Sequence, residues 1–462
     1  MTRLTSAQTH RAAGVLLSAA AGDALGAGYE FTYPAANQPI GMIGGGLGGF
    51  APGEWTDDTA MTLAIAEVTA TGADLRSVAG LDAVAAGFVR WYESGPKDIG
   101  IQTSRVLSAR DTTAAAMAAM AAGLTGRTGG NGSLMRTAPV ALAYLHDGAA
   151  RADAAAAVSR LTHADQRATE ACQIWCELIA RAVLDGQIDR DWVFLASLGD
   201  GFEEFWRPLK VTAETGSPAD FANNGWVVHA LQTAWWAITH TGRADAHQLA
   251  EGLELAVRAG GDTDTTAAIA GALLGARWGA SAVPAAWRRI LHGWPGLHSD
   301  DLVRLAIETA QGGARPGTWP SVAIMVNAGY DTGHATVHPH DDGVLVGGSD
   351  AVLRGGYDAV VSLCRMGTED LGVEHIRFWL VDAGPEANPH LDFVLDDAAR
   401  TVRSLRSEGK RVLLHCVEGR SRTPSVAARY ALMLGRDPQD VLDAMSWSRP
   451  DAALWRAAIR SQ

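Results

Sequence analysis

Two kinds of chemistry-bearing residue stand out along this chain of 462 residues, clustered carboxylates in its first two thirds and one cysteine loop near its end. Thr56-Asp57-Asp58-Thr59 follows a glycine-rich loop and runs straight into an apolar helical stretch from Ala60. Gly260-Gly261-Asp262-Thr263-Asp264-Thr265 does the same before Thr266–Arg277. Carboxylates and hydroxyls at the mouth of a helix project from irregular backbone while the helix behind holds them, which suits hard divalent cations that need all-oxygen ligands. Helix capping is the plainer reading of either cluster alone, since Thr and Asp are favoured N-caps and acidic side chains complement the helix dipole. Capping needs one side chain per helix, however. It leaves Asp57 beside Asp58, and Asp262 beside Asp264, in uncompensated repulsion that a bound cation would offset. Asp262 opens no EF-hand, because the required glycine and terminal glutamate of that loop are missing. Two facing loops sharing metals is the expected geometry.

Val412 to Thr423 reads as a buried strand, a tight loop and a helix start, with five residues between Cys416 and Arg422. In that geometry the loop amides and the helix N-terminus converge on one point, an anion cradle that binds phosphate and favours the thiolate of Cys416. Arg422 can grip two phosphate oxygens with its planar fork, and Thr423 can donate to the thiolate as it leaves. A cysteine ending a buried strand is usually only a small apolar residue. The company of His415, Gly419, Ser421, Arg422 and Thr423 argues otherwise here.

The elements that must position these groups differ between the two regions. From the N-terminus to about Gly313, Ala-rich segments with apolar residues at three and four spacing predict helices, clearest over 60–70, 164–184, 226–240 and 265–278. Past the Gly312–Gly317 linker come short β-rich runs at Val322–Val326, Val344–Val346, Ala359–Leu363, Ile376–Leu380 and Val412–His415, with helices over 390–407 and 423–434. The expectation is a multidomain chain, an all-α domain over residues 1–315 followed by a small α/β domain over 319–462.

Composition narrows the function. A net charge of −13 argues against general nucleic-acid binding, which needs clustered Lys and Arg. Lysine is confined to Lys97, Lys210 and Lys410 while Arg and Ala abound, the coding bias of a GC-rich bacterial genome. Cys172, Cys176, Cys364 and Cys416 are too few for a disulfide scaffold in a chain this long, so a reducing cytoplasm is expected. The run from Arg11 to Ala21 imitates a signal-peptide core. It passes directly into Gly22-Asp23-Ala24-Leu25-Gly26, however, and is read as a buried helix; no stretch is long enough to span a membrane.

Five motifs taken together, Gly22-Asp23-Ala24-Leu25-Gly26 with Glu30, Thr56–Thr59, Gly130-Asn131-Gly132-Ser133-Leu134-Met135-Arg136, Thr162-His163 and Gly260–Thr265, resemble the ADP-ribosylglycohydrolases over about the first 315 residues. The resemblance implies an all-α fold and a two-magnesium centre with Thr56, Asp57, Asp58, Asp262, Asp264 and Thr265 as ligands. Glu30 would lie beside the metals and act with Asp58 in catalysis, and Asn131, Gly132, Ser133 and His163 would line an ADP-ribose pocket. Glycines at 130 and 132 would let backbone amides approach the pyrophosphate. His163 is equally well read as a structural histidine, Asp98 as a turn-stabilising residue, and Cys172 with Cys176 as packing residues.

Residues 320–462, with the Gly347-Gly348-Ser349 turn and the Cys416 loop, resemble the dual-specificity branch of the protein tyrosine phosphatases. That likeness implies a cofactor-free phosphatase in which Gly419 and Ser421 help hold phosphate. Asp382 would be the general acid, with Asp392 and Asp396 as competitors. The expected function is then a bifunctional hydrolase. Its substrates would be an ADP-ribosylated protein or small ADP-ribosyl conjugate, and a phosphorylated protein or small phosphomonoester. The alternative is a sensor of ADP-ribose or phosphate with only one active half.

Overall fold

A computed structural model describes residues 3–325 and 329–460. The chain falls into two compact units, Met1–Val283 with Ile290–Ala314, and Pro284–Arg289 with Arg315–Gln462.

The first unit is almost wholly helical and is organised around the helix Ser6–Gly26. Thr5 starts it with a capping box, its side chain accepting from the Gln8 amide while Gln8 caps in return. Ala, Gly and Leu occupy every face, so every residue from Ala12 to Gly26 is buried, as the reading of this run as a core helix requires. Its neighbour is the helix Thr263–Trp278, and the two backbones approach through glycine. A Cβ on Gly22 would fall 2.2 Å from the Ala267 carbonyl oxygen, and one on Gly275 2.1 Å from that of Gly14. This approach brings the C-terminal end of the first helix to the start of the second, where a Cβ on Gly26 would lie 2.5 Å from the Asp264 Cα.

The other predicted helices of this unit are Asp57–Thr69, Gln166–Asp185 and Val227–Thr239. Gln166–Asp185 is capped by the Asp165 carboxylate at its start and by Gly186, with a left-handed backbone, at its end. The periodicity did not anticipate the short antiparallel pair His292–Gly293 and Leu297–His298.

The second unit is an α/β layer structure. Its five strands run in the order Ala335–His338, Asp341–Gly347, Val412–His415, Ala359–Ser362 and Glu374–Arg377, the first pair antiparallel and the rest parallel. Val344, Val346, Val361 and Leu414 of the sheet join Val394, Leu395, Val402, Val426 and Tyr430 of the helices Leu391–Ser407 and Arg422–Met433 in one core. The central strand Val412–His415 is buried throughout, as a strand paired and covered on both sides must be.

Two strand expectations need correction, and one strand was unforeseen. Residues 323–324 form a bend, with the carbonyls of Val322 and Ala323 accepting from the amides of Thr368 and Glu369, and Val326 lies outside the described residues. The strand expected at Ile376–Leu380 is Glu374–Arg377, because the polar residues Glu374 and His375 pair at the sheet edge where apolar alternation carries no signal. Ala335–His338 was not anticipated, being a short and half-exposed edge strand. No helix among the described residues is long and apolar enough to cross a membrane.

Candidate active sites

The acidic centre of the first unit gathers three separated segments. Asp23 sits on the first helix with its carboxylate turned to the loop before Asp57–Thr69, accepting from the amides of Thr56 and Thr59 at 2.9 Å each and from the Thr59 hydroxyl at 2.6 Å. Asp58 Oδ2 accepts from the hydroxyls of both Thr56 and Thr265 at 3.2 Å, which ties the two sequence-distant clusters together. Carboxylate oxygens of Asp23, Asp58 and Asp264 lie within 4.8 Å of one another, and so do those of Glu30, Asp262 and Asp264. Asp264 belongs to both triads, so they form one continuous acidic group that could hold a metal ion.

The electrostatics follow from that crowding. Burial, then Asp262, Asp98, Asp57 and Asp23, pushes Glu30 up to about 8. Burial, then Asp98, Asp23 and Asp262, pushes Asp57 up to about 7. Asp23 rises to about 6 through burial, held back by the hydrogen bonds from Thr59 and Thr56. Asp58 and Asp264 are raised well above the carboxylate range, first by burial and then by neighbouring carboxylates. Burial also raises Asp262, against the bond from Asn131. Asp58 Oδ1 is buried with no hydrogen-bond partner among the described residues. An orphaned carboxylate oxygen inside an all-oxygen, mutually repelling group is what a hard divalent cation would satisfy, so the residues fit magnesium.

Several residues that the sequence reading passed over take part. Asn224 accepts from the Asp262 amide through Oδ1 at 3.0 Å and donates to the Gly260 carbonyl at 2.8 Å, fixing the acidic loop from outside. Its Asn223-Asn224-Gly225 setting looks like any turn. Asp98 does stabilise its turn, accepting from the Ile99 amide at 2.8 Å. Its charge also bears on Asp57 and Glu30, a consequence of folding that its local sequence does not show.

The Gly130–Ser133 segment lies against the same centre. Asn131, in a short 3-10 turn, donates to Asp262 Oδ2 at 2.8 Å and to the Asn224 carbonyl at 2.9 Å, so both amide hydrogens are engaged and only its Oδ1 is left for a ligand. Ser133 is buried and accepts from the Cys172 thiol at 3.5 Å. His163 is buried too, and a Cβ on Gly132 would come 3.0 Å from its Cε1. Burial and the nearby Arg136 push His163 down to about 3.

In the second unit the cysteine loop leaves the central strand at its C-terminal end, the usual place for a site in a parallel sheet. Gly419 has φ +73°, and a Cβ there would strike the Gly347 carbonyl carbon at 2.6 Å, so the loop packs on the Gly347-Gly348-Ser349 turn only as glycine. The Ser349 amide donates to the Val417 carbonyl at 2.8 Å from the same turn. The amides of residues 417–421 have no acceptor among the described residues. Arg422 anchors Nη1 on the carbonyls of Leu363 and Leu380, at 2.9 and 3.3 Å, while its Nε is buried without a partner among the described residues. That leaves the Nε–Nη2 edge for a bidentate anion.

One expectation for this loop changes: the Thr423 hydroxyl donates to the Gly347 carbonyl at 3.1 Å and not to Cys416. Ser421 Oγ accepts from the Asp451 amide at 2.9 Å, bracing the loop from behind, while its own amide stays among the unpaired loop donors. Asp392 and Asp396 stand in ion pairs with Arg460 and Arg429, at 3.3 and 3.5 Å. Asp382 is exposed on the loop following Leu380, whose carbonyl holds Arg422. Buried Asn388 organises that loop through Val381, Ala383 and Gly384. Below the loop, Ser362 Oγ lies 2.6 Å from His415 Nε2 and 2.8 Å from His375 Nε2, and His415 Nδ1 lies 3.0 Å from the Cys416 carbonyl.

The family profile described as ADP-ribosylglycohydrolase matches residues 4–316. ADP-ribosylarginine hydrolase Tri1 of Pseudomonas putida (strain GB-1) is 29% identical over 289 residues, which span 60% of this chain and 73% of that protein. The ADP-ribosyl-[dinitrogen reductase] glycohydrolase of Rhodospirillum rubrum is 30% identical over 298 residues, 62% of this chain and 91% of its own. A solved ADP-ribosylglycohydrolase-related protein complex shares 29% identity at a TM-score of 0.54, covering 67% of this chain and 100% of that one.

Proposed function

The chain belongs to the ADP-ribosylglycohydrolase family, and from that premise we propose that it is a bifunctional hydrolase. In this reading the first unit removes ADP-ribose from a modified protein, with arginine as the linkage named for the Tri1 relatives, and the second cleaves phosphomonoesters through a phosphocysteine. A reducing, cytoplasmic setting goes with it, since Cys416 must stay a thiol. The observation that carries the first activity is the pair of carboxylate triads sharing Asp264, with Asp58 Oδ1 left unsatisfied.

Asp57, Asp58, Asp262, Asp264, Thr56 and Thr265 would hold two magnesium ions, joined by Asp23 and Glu30, which complete the two carboxylate triads. Bound there, the ions supply positive charge that orients the ribose hydroxyls and activates water. The chain's own groups do the rest. Asn131 and Asn224 hold the Asp262 loop in place. Glu30, half-buried at the edge of the acidic centre, would take a proton from the attacking water and pass it to the leaving nitrogen as the anomeric C–N bond breaks and the C–O bond forms. The released guanidine keeps one proton of that water.

In the second unit Cys416 attacks phosphorus while Arg422 spans two of its oxygens and Asp382 protonates the departing oxygen. Water then splits the S–P bond. What supports this half is the set of unpaired donors in the 417–421 loop and at Arg422.

ADP-ribose release from an ADP-ribosylarginine peptide should require magnesium and vanish with chelator or with Asp264→Asn. Phosphate release from a small aryl phosphate should ignore chelator and vanish in Cys416→Ser. Tight ligand binding without turnover in both assays would replace the hydrolase by a sensor.

A further inference from the structure

Arg136 is fully buried, and among the described residues no carboxylate is in ion-pair contact with it, Asp57 acting on it only from a distance. Its guanidinium stacks over Phe88 at 4.4 Å, Nη1 reaches only the Met61 sulfur at 3.5 Å, and Nε has no partner. Burying a charge this way is costly and asks for a reason. The one strong contact is Nη2 to Thr162 Oγ1 at 2.7 Å.

That contact has a direction. Arginine only donates, so Thr162 Oγ1 accepts there, and its single hydrogen has no acceptor among the described residues other than His163 Nδ1 at 2.7 Å. Nδ1 is then an acceptor and the ring hydrogen must sit on Nε2. Gln102 steadies the arrangement by donating to the Thr162 carbonyl at 2.9 Å. Nε2 has no acceptor among the described residues, although the ring is only 2% exposed. A Cβ on Gly130 or on Gly132 would come 3.3 Å from it. Between those glycines stands Asn131, which holds Asp262. The unpartnered N–H therefore points at the loop that borders the acidic centre.

We infer that Arg136 and Thr162 are positioning residues: they hold His163 as a neutral Nε2–H donor aimed at the Gly130–Gly132 loop, where it takes an acceptor oxygen of the ADP-ribosyl group. The identity of that oxygen's owner rests on the hydrolase reading above, whereas the tautomer does not.

The test uses the full chain with 15N-labelled histidine, the His163 resonances being identified by their loss in His163→Gln. Wild type should show a single Nε2–H tautomer with no titration between pH 6 and 8. Thr162→Val, nearly the same shape, should give mixed tautomers. It should also weaken binding of free ADP-ribose by about tenfold, the worth of one neutral hydrogen bond, with kcat on the peptide within about threefold. Thr162→Ser should restore both, and Arg136→Met should reproduce the mixed tautomers while keeping the length of the stack. An Nδ1–H tautomer in wild type, or wild-type affinity in Thr162→Val, would overturn the inference. ADP-ribose bound but never released from peptide by wild type would instead remove the hydrolase reading, with the tautomer measurement still deciding this one.

Discussion

The two sites are built from opposite halves of hydrogen-bond chemistry. In the first unit acceptors crowd together, with Asp58 Oδ1 left over and Glu30 and Asp57 pushed toward neutrality. In the second, donors do the crowding, with the 417–421 amides and Arg422 Nε left over. Unpaired acceptors suit a cation and unpaired donors an anion, which is the contrast the proposed activities draw on. Behind each site an imidazole is aimed by a hydroxyl. Thr162 sets His163, and Ser362, which must donate to His415 Nε2 because His415 Nδ1–H serves the Cys416 carbonyl, sets His415.

The sharpest way to break this contrast is to remove one centre and watch the other. Cys416→Ser should cut phosphate release by roughly 10⁴-fold or more and leave ADP-ribose release intact. Asp264→Asn should do the reverse, by roughly 10³-fold. Loss of both activities from either change would mean the sites are not independent.

A step outward, Asn224→Ala should weaken magnesium activation by about 10- to 100-fold, the usual effect of losing a group that orients a metal ligand. Magnesium titration of ADP-ribose release reads this directly, and an unchanged midpoint would deny Asn224 its role. Smaller again, Ser362→Ala should slow iodoacetamide alkylation of Cys416 at neutral pH by about tenfold, through loss of one hydrogen bond behind the loop. Equal rates would show that the His415 relay is only packing.

The least effect concerns pH and stability. Glu30, Asp57 and Asp23 have folded values of about 8, 7 and 6, above their ordinary ones, so the metal-free folded state binds more protons than the unfolded chain. Stability is then fully present below about pH 4 and lost as pH rises through 6 to 8. With chelator, the melting temperature of the first unit should fall by several degrees between pH 5 and 8.5, and magnesium should recover more of it at the higher pH. A chelated protein that grows more stable over that range would contradict the crowded-carboxylate account.

Not all of this needed coordinates. Thr56–Thr59 and Gly260–Thr265 are legible because clustered acids at helix starts exceed what capping requires, and Cys416 with Arg422 because their spacing suits one loop. Asn224 and Asp98 were not legible as site residues, since an Asn-Gly turn and a turn aspartate look alike wherever they occur. The edge strand Glu374–Arg377 was misplaced because polar residues at a sheet edge do not alternate with apolar ones.

Local spacing thus pointed to residue types that could bind a cation or an anion, and to the helices and buried strands that carry them, because period and turn chemistry are short-range properties of the chain. Whether Asp58 meets Asp264, which carbonyl takes the Thr423 hydroxyl, and which way the hydrogens run through Arg136, Thr162 and His163 were decided only by tertiary structure. These are distances between segments far apart in the chain. They depend on helices approaching through Gly22 and Gly275 and on strands aligning at His415, contacts that no local pattern encodes.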